Sequence, residues 1–204
     1  MKLNGMMWLG GMSGTGKTTI SGKLKETYGI EVYHTDDYFT ESQISETDQP
    51  YLWKIQKEGW ESLLNGEAEH DANVLIQHSK EVCEIAIRKA LQLGEGESNK
   101  RLVEGVSLFP EVLNKHGIRN AVFITQTLER YESSLRENEA FIKNVIEAAE
   151  NPKVKYDNVV RTYEIILKQI EKEVATYDYP SYQITKDEDR EGCLQFIKTQ
   201  FNLV

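Results

Sequence analysis

Short apolar runs alternate along this chain with longer segments in which apolar residues recur every three or four positions. Such runs are typical of strands buried on both faces of a sheet, whereas the longer segments have the period of amphipathic helices. Because parallel neighbours in a sheet need a crossover connection, the alternation predicts a doubly wound α/β fold with helices on both faces. The five predicted strands cover residues 6–9, 30–34, 101–106, 121–125 and 181–184.

Helical spacing accounts for most of the remaining sequence. Ile20, Leu24 and Tyr28 recur at four-residue spacing before Gly29, which predicts a first helix that ends at a glycine. The stretch 40–73 is polar with embedded aromatic residues, and we expect it to form short helices inserted on the substrate side. Further helical patterns cover residues 74–93, residues 130–174 with a break at 151–152, and residues 193–201, and a turn is expected at 94–98.

Length and composition fit a single domain. With 204 residues and 39% hydrophobic content, the chain can bury a sizeable core, and we predict one domain over 1–204. Within it we place the substrate-side insertion at 40–73, and a helical lid with its following helix at 126–176. Cys83 and Cys193 are far apart and form no metal-binding pattern, so each is expected to be an ordinary reduced thiol.

The overall charge limits the kinds of partner. A formal net charge of -9 disfavours long nucleic acids and anionic lipid surfaces. A small anionic substrate remains compatible, because a local cluster of basic residues in a cleft can oppose the overall charge. No stretch approaches the length of a membrane span and no apolar signal segment precedes the first strand. We therefore expect a cytoplasmic monomer or homodimer that acts on a small molecule.

The clearest chemical motif lies between the first strand and the first helix. Residues 11–18 read GMSGTGKT and match the pattern G-x-x-x-x-G-K-[ST] at every fixed position. Glycines let successive N–H groups face an anion, and the positive end of the following helix adds to that field. Lys17 can reach the outer phosphates of ATP, and the Thr18 hydroxyl can bind the accompanying Mg²⁺. The predicted nucleotide-binding residues are Gly11, Met12, Ser13, Gly14, Thr15, Gly16, Lys17, Thr18 and Thr19.

Acidic residues follow two of the predicted strands. Asp36 comes after the second strand and is the predicted catalytic base, with Asp37 as its competitor and capping of the next turn as the structural alternative. Glu104 closes the third strand, where a carboxylate can hold the metal, although a solvated strand end would look the same. The predicted metal ligands are Thr18, Asp36 and Glu104.

Basic and aromatic residues supply the remaining candidates. Arg130 and Arg136 follow the fourth strand, where an arginine-bearing lid could stabilise charge on the transferring phosphoryl group. A solvated helix with salt bridges to neighbouring glutamates explains either arginine equally well. Trp53 could line a pocket or belong to the core. The candidates on the substrate side are Asp37, Tyr38, Trp53 and Arg161.

With these residues identified, the chain resembles the small-molecule P-loop kinases, and most of all the 2-phosphoglycerate kinase type. The Asp36-Asp37-Tyr38-Phe39 run is also similar to an element of the nicotinamide riboside and uridine kinases, whose leading Asp is the base. The resemblance implies a P-loop NTPase fold of the nucleoside-monophosphate-kinase-like, three-layer kind with a helical lid. It also implies adenine recognition near Thr185 and Lys186. The segments that carry it are residues 11–18, 34–37, 102–106, 109–110, 156–161 and 179–180.

These features predict an ATP- and Mg²⁺-dependent kinase that moves the γ-phosphoryl group to a hydroxyl of a small molecule, such as a phosphorylated or carboxylated metabolite. A nucleoside or nucleotide kinase is the alternative within enzymes. A regulatory module that binds ATP without transferring phosphate is the alternative from another class.

Overall fold

The structure is a computed structural model that describes residues 5–39, 44–93 and 100–203. Within these ranges the side chains of Tyr38 and Phe39 are not described. Three predicted features therefore cannot be compared with the structure in full. The turn expected at 94–98 and the first residues of the insertion lie outside the described residues, and so does the side chain of the candidate substrate residue Tyr38.

A five-stranded parallel sheet forms the centre of the protein, in the order β2-β3-β1-β4-β5. This confirms the predicted fold class. The third strand ends at Glu104, the acidic residue expected to close it, and residues 105–106 of the predicted range lie outside the strand. The strands are β1 Met6–Gly11, β2 Glu31–His34, β3 Arg101–Glu104, β4 Ala121–Gln126 and β5 Ser181–Ile184.

Helices cover both faces of the sheet. One 3₁₀ segment, Thr35–Phe39, follows β2, and a second, Trp60–Ser62, follows the helix Pro50–Glu58. The short helix Glu139–Phe141 continues into a π-helical turn at Ile142–Ile146. At residues 151–152, where a break in the helical pattern was predicted, a long helix begins at Pro152. The helices are α1 Lys17–Tyr28, α2 Pro50–Glu58, α3 Ala68–Gln92, α4 Pro110–Lys115, α5 Leu128–Glu137, α6 Glu139–Phe141, α7 Pro152–Thr176 and α8 Asp189–Gln200.

The core has two layers because successive side chains of a strand point to opposite faces of a sheet. Met6 and Trp8 of β1 pack with α3, α4 and α7 on one face. Met7 and Leu9 pack with α1 and α8 on the other face. Trp8 and Leu9 are both fully buried, and burying a side chain of this size stabilises the fold by about 1.5–3 kcal/mol.

All five strands end at the same edge of the sheet because they are parallel. The loop before α1, the 3₁₀ segment after β2, the turn after β3 and the start of α5 therefore meet at this carboxyl edge. Ligands of open α/β sheets bind in the crevice outside such an edge. Among the described residues, no helix is both long enough and apolar enough to cross a membrane.

Candidate active site

The loop of residues 11–18, here called the phosphate loop, contains two positions, Gly11 and Gly16, whose backbone conformation favours glycine. Gly11 has φ 128°, and a Cβ atom there would lie 2.0 Å from the carbonyl oxygen of Ile124 in β4. Gly16 caps the start of α1 with φ 82°, in the left-handed region that glycine adopts without strain. The motif glycines therefore permit both the close approach of β1 to β4 and the turn into the helix.

Hydrogen bonds to one carbonyl hold the phosphate loop in shape. The Lys17 ammonium donates to the Met12 carbonyl at 2.6 Å, and the buried Thr15 hydroxyl donates to the same oxygen at 2.9 Å. Lys17 is only 5% exposed. Burial lowers the pKa of Lys17 to about 8, although the nearby carboxylates of Glu104 and Asp36 act in the opposite direction.

A cavity of about 330 Å³, the phosphate-loop cavity, brings several predicted residues together. Lys17, Thr18, Asp36 and Glu104 all line it, although they come from three separate segments of the chain. Gly11, Met12 and Thr15, which also belong to the phosphate loop, do not line the cavity. The other lining residues are Ser13, Gly14, Gly16, Thr19, Gly105 and Val106.

Glu104 lies at the bottom of this cavity, where it is 3% exposed. The Thr18 hydroxyl donates to Glu104 Oε1 at 3.1 Å. The imidazole Nδ1 of His34 lies 2.5 Å from the same carboxylate oxygen. This contact follows from the sheet, because the parallel register of β2 and β3 pairs His34 with Glu104. His34 was not among the sequence candidates, although its place at the end of β2, just before the acidic residues, was a usable signal.

The glycine after Glu104 lets the ends of β2 and β3 approach closely. A Cβ atom on Gly105 would lie 1.7 Å from the hydroxyl oxygen of Thr35, which is completely buried. Thr35 begins the 3₁₀ segment that carries Asp36 and Asp37. Both carboxylates are exposed, but Asp36 lines the phosphate-loop cavity and Asp37 does not.

The two candidate lid arginines occupy different environments. The side chain of Arg130 is 8% exposed and donates to the Gly14 carbonyl at 3.4 Å, to Asp187 at 2.6 Å and to Gln126. It therefore ties the phosphate loop to the loop after β5. Arg136 is 66% exposed and contacts Glu132 and Tyr156 instead of the phosphate loop.

A second cavity adjoins Arg130 and has a volume of about 420 Å³. One wall is formed by α5, and the opposite wall is the loop after β5 that contains Thr185 and Lys186. Adenine recognition was expected near these two residues. Thr185 and Lys186 both donate backbone N–H groups to the carboxylate of Asp189, which fixes the loop.

The remaining substrate-side candidates lie away from the phosphate-loop cavity. Trp53 is half-buried on α2, with the Lys57 ammonium 4.8 Å from its ring centroid. Arg161 is exposed on α7 and pairs with Glu164 at 2.7 Å and with Glu69 at 3.7 Å. Neither Trp53 nor Arg161 lines that cavity.

The donor atoms near Thr18 suit a magnesium ion. Mg²⁺ prefers oxygen ligands and is often held by one or two carboxylates together with substrate phosphates. The Thr18 hydroxyl and the Glu104 carboxylate are already adjacent, and Asp36 faces the same cavity. Within the described ranges, no cluster of three or more His, Cys, Asp or Glu residues could hold a metal by itself. Phosphate oxygens of a bound nucleotide are the further ligands that Mg²⁺ often has in sites of this kind.

Comparisons with known proteins gave matches only among solved structures. No protein-family model matches the chain, and no curated protein matches it. Deoxyadenosine kinase from M. mycoides is 14% identical, with 97% of this chain and 100% of that chain covered and a TM-score of 0.44. Shikimate kinase from Bacteroides thetaiotaomicron is 16% identical, with 97% and 98% covered and a TM-score of 0.46.

A sugar kinase from Janibacter sp. HTCC2649 is similar to the same degree. It is 13% identical, with 98% of this chain and 95% of that chain covered and a TM-score of 0.43. The three proteins are small-molecule kinases by name. Similarities this low do not assign a substrate or a reaction to the present chain.

Proposed function

We propose that this protein is an ATP- and Mg²⁺-dependent phosphotransferase that moves the γ-phosphoryl group to a hydroxyl of a small molecule with an acidic group. One observation carries the proposal: Lys17, Thr18, Asp36 and Glu104 line a single cavity beside the phosphate loop. Phosphoryl transfer relies on positioning and on charge stabilisation, and these four side chains are the groups it needs.

The phosphate loop and Lys17 are proposed to bind the triphosphate. The first N–H groups of a helix have no partner within the helix, so those of α1 are proposed to donate to phosphate oxygens, and the helix dipole adds positive potential there. The Lys17 ammonium is already held over the loop by the Met12 carbonyl. A triphosphate would offer it a charged partner and raise its lowered pKa.

Thr18 and Glu104 are proposed to hold Mg²⁺, with Asp36 as a further ligand or as the base. The ion supplies positive charge that neutralises the phosphate oxygens. His34 contacts the Glu104 carboxylate and would fix the direction of its second oxygen.

Asp36 is proposed to accept the proton of the acceptor hydroxyl. The acceptor oxygen then forms a bond to the γ-phosphorus, while the bond between that phosphorus and the bridging oxygen breaks and its electron pair leaves with ADP. Arg130 is proposed to lie beside the nucleotide, since it contacts the phosphate loop directly. Arg136, on the same helix α5, is proposed as the second lid arginine.

The first experiment separates nucleotide binding from transfer. ATP binding is measured by calorimetry, and ADP release is measured against parallel sets of acceptors that include 2-phosphoglycerate, sugars and nucleosides. Asp36→Asn should bind ATP normally and lose acceptor-stimulated ADP release. Asp37→Asn, at the competing carboxylate that does not line the phosphate-loop cavity, should keep that release. Lys17→Ala should lose both properties.

Two outcomes would contradict the proposal. Full turnover by Asp36→Asn would exclude Asp36 as the base. Tight ATP binding without ADP release, whichever acceptor is added, would favour the regulatory module instead of an enzyme.

A further inference from the structure

A third cavity, here called the apolar cavity, lies between α3, α5, the π-helical turn and α7. Its volume is about 280 Å³, near the small end of ligand pockets. Most of its apolar lining is only half-buried, so the side chains would lose more contact with water if a ligand filled the space. The apolar side chains in its wall include Leu64, Leu75, Phe141, Val145, Val159 and Ile166.

The apolar cavity lies at the same edge of the sheet as the phosphate loop. α3 and α7 run back from the carboxyl edge to the next strand, so their first turns stand above that edge. A direct link joins the two places: Gln126 Nε2 donates to the Ser13 carbonyl at 2.8 Å and to the Tyr163 hydroxyl at 2.7 Å. Tyr163 forms part of the cavity wall. One side chain, Gln126, therefore links the wall of the apolar cavity to the phosphate loop.

Two stacked aromatic rings form one side of this cavity. The Tyr131 and Tyr163 ring centroids are 3.3 Å apart and their planes differ by 9°. Burial raises the pKa of Tyr131 to about 12 and raises that of Tyr163 as well, so both phenols are neutral near pH 7. Neutral aromatic faces favour contact with a flat or apolar ring.

The apolar cavity also contains one basic group without a protein partner. Lys155 is half-buried in its wall, and within the described ranges its ammonium makes no hydrogen bond or ion pair, whereas its backbone N–H donates to the Asn151 carbonyl. Arg161, one turn and a half further along α7, is by contrast already paired with glutamates. The buried Asp71 carboxylate accepts N–H bonds from Asn65 at 3.0 Å and Gly66 at 3.1 Å. Lys155 is thus the basic group available to a ligand.

We propose that the apolar cavity binds the phosphoryl acceptor, and that this acceptor has a ring or other apolar body with an acidic group that pairs with Lys155. The inference rests on the proposed kinase function and narrows its substrate class. A carboxylate and a phosphate monoester share the required chemistry, since each offers oxygens to an ammonium. A small polar acid without an apolar body would leave the aromatic wall unused.

The test uses simple probes and the full chain. Calorimetry compares 4-(hydroxymethyl)benzoate and 4-(hydroxymethyl)phenyl phosphate with benzyl alcohol, which lacks the acid, glycerate, which lacks the ring, and uridine, a neutral ring compound. We expect the two ring acids to bind most tightly and to stimulate ADP release. The two acids distinguish the carboxylate from the phosphate as the preferred group.

Two variants with matched controls locate the binding. Lys155→Met should weaken binding of the ring acids about tenfold or more and leave benzyl alcohol unchanged, whereas Lys153→Met, an exposed lysine of the same turn, should change neither. Val159→Trp should fill the apolar cavity and block the ring acids. Val154→Trp, at a 51% exposed position, should not.

Several results would overturn the inference without touching the kinase proposal, because ATP binding is measured in the same samples. The ring acids could bind no more tightly than glycerate, or Lys155→Met could leave their binding unchanged. Tighter binding of uridine, unaffected by Lys155→Met, would exclude the acidic class. Binding of the ring acids without any rise in ADP release would exclude the cavity as the acceptor site. Failure of the wild-type protein to bind ATP would instead contradict the kinase proposal itself.

Discussion

If the protein binds ATP as proposed, the lowered pKa of Lys17 should make ATP affinity depend on pH in a range where most lysines do not titrate. The ammonium is 5% exposed, and burial brings its pKa to about 8. Bound triphosphate should raise that pKa again, because opposite charges favour the charged form. ATP should therefore bind with Lys17 protonated, and where the free lysine is neutral the complex must take up a proton from the buffer.

The magnitude follows from the pKa. Above pH 8 the protonated fraction of Lys17 falls about tenfold for each pH unit, so affinity should fall roughly 25-fold between about pH 7.5 and 9.5. Other buried groups should interfere little, because burial raises the pKa values of Tyr131, Cys83 and Cys193 to about 12.

The assay is calorimetric ATP binding at constant ionic strength across this pH range, repeated in two buffers of different ionisation enthalpy. Near pH 8.5 the complex should take up close to one proton, about 0.8 by the same reasoning. Lys17→Arg keeps its charge throughout and should remove both the pH dependence and the proton uptake. Constant ATP affinity in the wild-type protein, or binding without proton uptake, would refute the reasoning.

The ligand-free protein should respond to pH with the opposite sign. Lys17 has a lower pKa when folded than when unfolded, so the unfolded chain binds more protons between about pH 8 and 10.5. Its contribution to the free energy of unfolding should therefore rise with pH over this window, by about 3 kcal/mol in total. To measure this contribution, the free energy of unfolding by urea is determined for the wild type and for Lys17→Met at both ends of the window. The change with pH that the wild type shows and Lys17→Met lacks is the contribution of Lys17.

Two further substitutions test the junction of β2 and β3. His34→Ala should weaken Mn²⁺ binding to the ATP complex about tenfold or more, because the imidazole orients Glu104. His34→Asn places an amide nitrogen near the Nδ1 position and should restore part of that affinity. Mn²⁺ binding is titrated by electron paramagnetic resonance, and equal affinities in the wild type, His34→Ala and His34→Asn would exclude the orienting role of His34. Gly105→Ala should destabilise the fold by about 1–3 kcal/mol, since its Cβ would overlap the Thr35 hydroxyl. Gly22→Ala meets no atom within 4 Å and should be neutral or stabilising in the same urea titration.

Local patterns in the sequence were sufficient for the main elements of the fold. The last strand lies at 181–184 as predicted, and the first helix ends at Gly29, which has φ 64°. The start of α7 was missed, although its signal was present: the Asn151 side chain accepts the N–H of Val154, and Pro152 takes the first helical position. The prediction treated this Asn-Pro pair as a break in a helix and not as its beginning.

The sequence also determined the conformation of the phosphate loop. Its glycines set the local backbone, and Lys17 bonds a carbonyl only five residues away. The sequence could not determine the contact between His34 and Glu104, since it depends on the pairing of two strands 70 positions apart. The buried state of Lys17, the contact of Arg130 with Gly14 and the cavity beside Lys155 have the same origin. Each requires separate segments to pack together, and only the tertiary structure fixes that packing.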